Sequence, residues 1–95
     1  MKPRPDTNTD DAHTLALRAL VWTLAEPNRA HRLLDTTGLT PADLRARASD
    51  PAVLGAALAF LQAHQPDLVA CAEELGTSPE RLVAAQDTLG GEALA

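Results

Sequence analysis

Three histidines, His13, His31 and His64, and one cysteine, Cys71, are the side chains best suited to hold a metal or attack a substrate. Their spacing serves neither purpose. Zinc sites bring ligands together through short repeats such as histidines at i, i+4 or paired cysteines. Here the histidines are scattered and no cysteine pair exists. Cys71 sits among apolar residues and reads as a small core side chain rather than a nucleophile. The acids form no recognisable catalytic pair, and the five glycines form no phosphate-cradling loop. No cofactor, no metal and no catalytic residue is expected, and the chain is not read as an enzyme.

Two other constellations bear on binding. Arg29, Arg32, Arg45 and Arg47 fall close together, against Asp35 and Asp43. Guanidinium groups so clustered could touch phosphate or an acidic protein surface. The plainer reading is a solvated helix face with weak surface ion pairs. The second constellation is "AEELGTSPERL", residues 72–82, which has the spacing of a DNA-reading helix-turn-helix. Its second helix would offer Glu80, Arg81, Gln86 and Asp87 to the groove, and its first helix carries Glu73 and Glu74. DNA affinity comes chiefly from neutralising phosphates, so this unit is acidic where it should be basic. It reads as a packed corner between two helices. A nucleic-acid reading, through a dimer, rests on the arginines of 29–47 instead.

The elements that must hold these residues are helices. Alanine and leucine dominate the apolar content of 45%, and Trp22 and Phe60 are the only aromatics. A first helix is expected from Asp10 or Asp11 to the residue before Pro27. Leu15, Ala19 and Trp22 recur at i, i+4 and i+7, and Leu17, Leu20, Val21 and Leu24 widen the stripe beyond one buried face. Asn28 is expected to cap a second helix, ended by Gly38. Thr40, Pro41 and Asp43 form a capping box for a third. Asp50 and Pro51 open a fourth, with Val53, Leu54, Ala57, Leu58 and Leu61 as its core stripe and Phe60 beside it. Gly55 inside it could let a neighbouring helix approach. A fifth starts at Pro66 and ends at Gly76. A sixth starts from Thr77 or Ser78, where Thr77 with Glu80 would make a capping box, and ends at Gly90–Gly91. "GLTPADLRARA" (38–48) echoes "GTSPERLVAAQ" (76–86), and the matches are mostly the punctuation of helix capping.

The fold class is therefore all-α: a compact bundle of five or six short helices with helix-turn-helix-like corners, centred on the helices of Trp22 and Leu58. Residues 1–10 read as a disordered tail, 11–91 as one helical domain and 92–95 as a short C-terminal tail. The net charge is -5, placed mostly in residues 48–95, where only Arg81 opposes seven acids. That field suits solubility and repels nucleic acid and anionic membranes. No apolar run is long enough for a membrane span, and no signal peptide is evident. With one cysteine and no internal disulfide, a cytoplasmic location is expected.

The run from "GLTPADLR" through the "DPA" helix start at 50–52, "LAFL" at 58–61 and "TLGG" at 88–91 resembles a small proteobacterial family of domains of unknown function. The resemblance spans Ala12 to Gly91. Similar sequences carry more large apolar residues in the middle helix, which Gly55 and Ala56 lighten here. The resemblance implies a helical, cytoplasmic bacterial domain and supplies no catalytic residue, cofactor or partner. The expected function is a small interaction module that binds another protein or itself. Trp22 and Phe60 are its candidate contact residues, and nucleic-acid binding through Arg29, Arg32, Arg45 and Arg47 is the alternative.

Overall fold

A computed structural model describes residues 7–94, with side chains from Asp11 to Gly90. It contains six helices and, among the described residues, no strand: α1 (Thr7–Leu24), α2 (Pro27–Thr37), α3 (Pro41–Arg47), α4 (Pro51–Gln62), α5 (Gln65–Leu75) and α6 (Pro79–Leu94). The all-helical bundle is as expected. No described helix is long and apolar enough to cross a membrane.

Local chemistry sets most boundaries. Thr40 Oγ1 accepts from the Asp43 N–H while Asp43 accepts from the Thr40 N–H, so the capping box of α3 forms in full. Asp50 accepts from the Ala52 N–H and starts α4 ahead of Pro51. Gly38 (φ 77°) and Gly76 (φ 71°) close α2 and α5 in the left-handed conformation that glycine adopts without strain. After Gly76, the Thr77 N–H returns to the Ala72 carbonyl at 2.9 Å. The two echoing segments thus form matching corners, α2–α3 and α5–α6, with Leu44 and Leu82 buried at equivalent places.

Four boundaries differ from expectation. The helix α1 starts at Thr7, so only residues 1–6 of the expected tail lie outside the described residues. Glu26, not Asn28, caps α2: with Pro27 at the first helical position, the Glu26 carboxylate accepts from the Asn28 and Arg29 N–H groups at 3.0 and 2.8 Å. Ser78, not Thr77, bonds the Arg81 N–H at the start of α6, so Glu80 completes no capping box. And α6 runs through Gly90 and Gly91 to Leu94, because glycine permits a helix stop but does not force one.

The centre is a three-helix pack of α1, α4 and α6, with α2 and α5 against its sides. The expected pair of central helices is joined by α6. The buried face of α1 is not the leucine–tryptophan stripe but Ala12, Ala16, Ala19, Leu20 and Thr23. Alanines let helix axes approach closely, so they occupy the crossing while larger neighbours flank it. Thr23 is fully buried and its hydroxyl donates to the Ala19 carbonyl at 2.8 Å, so it leaves no unmet polar group. On α4, Leu54, Leu58 and Leu61 fill the interior. Gln62 Nε2 donates to Gln86 Oε1 and ties α4 to α6. Gly55 makes no close helix approach, since a methyl group added there meets nothing within 4 Å.

Candidate interaction surface

Trp22 lies half-buried near the end of α1, against the core. The chain turns at Ala25 and Glu26, and the Glu26 cap fixes the first turn of α2. That places Arg29 to fold back over α1. Its guanidinium carbon stands 3.7 Å from the centroid of the Trp22 ring, and Nη2 donates to the Trp22 carbonyl at 2.7 Å. Cation and ring are therefore joined by both a cation–π contact and a charge-assisted hydrogen bond. Nε of Arg29 is buried and has no hydrogen-bond partner. The Arg29 and Asn28 N–H groups, with Arg29 and Arg32 nearby, hold the Glu26 carboxyl below the usual range. Beneath this corner Cys71 is fully buried, and burial pushes its thiol up to about 11. Almost none is thiolate at neutral pH, so it is chemically quiet in the folded state.

Phe60, the second candidate contact residue, is 7% exposed and belongs to the core. Its ring floors an open depression of ≈ 350 Å³ lined also by Arg32, Asp35, Thr36, Ala63 and His64. Arg32 stands 5.9 Å from the ring and pairs with Asp67 at 3.3 Å. His64 Nε2 lies 3.9 Å from the same carboxylate oxygen. Farther along, Arg47 pairs with Asp50 at 3.1 Å, which with the Ala52 N–H holds that carboxyl below its usual range. Arg45 is exposed. The four arginines thus serve different local partners: Arg29 an indole, Arg32 an acid of α5, Arg47 the cap of α4, while Arg45 projects from α3. No cluster of three or more His, Cys, Asp or Glu side chains that could hold a metal occurs among the described residues.

The surface feature that stands out is on α1. Val21 is 61% exposed and Leu17 41%, one helical turn apart, with the partly buried Leu24 next to them. Between Ala12 and Ala25, Arg18 is the one arginine, lysine or acid. Its Nη2 donates to the Leu75 carbonyl at 3.1 Å, closing the C-terminal end of α5. Thr14 and Ala25 continue the exposed strip at either end. Across α1, a shallow groove of ≈ 460 Å³ runs between Asp11, Ala12 and Leu15 and the Arg81–Thr88 side of α6. Sequence reading had the signal, a stripe too wide for one buried face, but named Trp22 rather than Leu17 and Val21.

No curated protein and no solved structure matches the chain. A family model described as a protein of unknown function (DUF3572) matches residues 9–92, nearly the whole of the folded unit. The match spans every helix described above, and the chain belongs to that family.

Proposed function

We propose that this domain is a protein-interaction module whose contact face is the outer strip of α1, centred on Leu17 and Val21. The observation that carries the reading is the exposure of these two large apolar side chains on a face with no free charge. Isolated exposed leucines need no explanation, but an uncharged pair one turn apart is the seed of a contact. Half-buried Trp22 borders the corner at the end of this helix, and its ring, already covered by Arg29, serves as scaffold rather than anchor. The module is non-enzymatic in this reading, and a cytoplasmic setting suits its single free thiol.

Val21→Asp tests it, because a charge on the strip disrupts an apolar contact without touching the core. Crosslinked complexes formed by the wild-type chain in its native host should be lost with Val21→Asp and kept with Val69→Asp, which places the same charge on α5. Identical complexes with both variants would overturn the reading. The nucleic-acid alternative has less support, since Arg29, Arg32 and Arg47 each already hold an intramolecular partner. A gel shift at about 50 mM salt, where phosphate contacts are strongest, tests it directly.

A further inference from the structure

We infer that the strip on α1 is covered by a second copy of this chain, packed antiparallel across a two-fold axis between Leu17 and Val21. The inference rests on the interaction reading above and names its partner.

The strip is self-complementary. Thr14, Leu17, Val21 and Ala25 read small, large, large, small from either end. An antiparallel copy sets Leu17 beside Val21 of the second copy, and Val21 beside its Leu17. A two-fold interface demands this kind of patch, because the same surface must fit itself.

Charge agrees with that orientation. The strip meets its copy without opposed like charges, since Arg18 is held at the end of α5. Acids Asp10 and Asp11 stand at the start of α1, and Arg29, His31 and Arg32 follow its end. Antiparallel packing brings the acidic end of one helix to the basic end of the other, and the helix dipoles oppose. Parallel packing would set like upon like. The acids Glu73, Glu74, Glu80 and Asp87 lie on α5 and α6. Those helices meet α1 on the flank of Arg18, Ala12 and Leu15, which the helical repeat places away from Leu17 and Val21. The net charge of -5 therefore does not face itself across the contact.

The area sets the strength. A helix of 18 residues is about 27 Å long. One such pair covers less than the roughly 800 Å² per partner of a standard interface, so the dimer is weak and forms only at high concentration.

Sedimentation velocity decides the matter between about 10 μM and about 1 mM, the range that brackets weak association. The wild-type sedimentation coefficient should rise with concentration. Val21→Asp should stay monomeric, and Val69→Asp should follow the wild type, all three with the same circular dichroism. If Val21→Asp fails to fold, Leu17→Lys takes its place. A wild type that stays monomeric throughout, or a strip variant that associates as well as the wild type, overturns the inference. In the first case, a different protein captured by the wild type and lost by Val21→Asp would leave the interaction reading standing. Orientation is read by mixing Leu17→Cys and Val21→Cys chains with a short bis-maleimide, Cys71 being buried. Mixed dimers should exceed either homodimer, and an excess of homodimers would overturn the antiparallel arrangement.

Discussion

At the scale of single residues, Arg29 does the most for the architecture. It joins α2 to α1 by stacking on Trp22 and by bonding that residue's carbonyl. Arg29→Ala removes both contacts and should lower stability by about 1–2 kcal/mol. Arg29→Lys should restore only part of it, since an ammonium cannot stack as a plane while donating sideways. Urea denaturation followed by the fluorescence of the single tryptophan measures both, and an Arg29→Ala midpoint equal to wild type would contradict the assignment. This pairing was not legible in the sequence. Trp22 and Arg29 lie seven positions apart, and their meeting depends on the angle at which the chain turns through Ala25 and Glu26. Phe60 was misplaced for a related reason: its neighbours on α4 marked it as flanking the core, while the packing of α2 closed over it.

Among elements, helix ends were the most readable and helix faces the least. Thr40, Asp50, Gly38 and Gly76 all act where their chemistry predicts, because capping is decided by a few adjacent residues. Glu26 was missed because glutamate is not a preferred cap, and here Pro27 positions the two N–H groups that its carboxylate accepts. The burial of α1 through alanines was hidden because a periodic pattern ranks large residues first. The Glu26 and Asp50 caps also set an acid dependence. Both carboxyls titrate below their ordinary values of 4.5 and 3.8 in the folded chain. Their contribution is full above those values and is lost as pH falls through the lowered ones. Glu26→Gln combined with Asp50→Asn should therefore flatten the loss of stability below about pH 4, measured by urea midpoints across pH. An unchanged slope would show that other acids dominate. Gly55 gives a prediction of opposite sign. It is helical, and an added methyl meets nothing. Gly55→Ala should stabilise the chain by about 0.8–1 kcal/mol, visible as a higher melting temperature. A lower one would show that the site is tighter than the described packing.

For the molecule as a whole, small size and an alanine-rich centre limit the buried apolar area. Association then contributes to stability by mass action. The melting temperature of the wild type should rise with protein concentration, and that of Val21→Asp should not. Calorimetry at two concentrations tenfold apart checks this, and parallel behaviour of the two proteins would count against the dimer. The all-helical class was plain from composition, but which helices share the centre was not, since α1 and α6 meet across most of the chain. That meeting has a consequence for how the protein is made. The face of α1 that finally lies on α6 leaves the ribosome first and must wait for the last helix to be synthesised. Until then its alanine seam and its outer leucine strip are both open to water. A nascent chain stalled before Pro79 should therefore be a client for chaperones rather than a half-built domain.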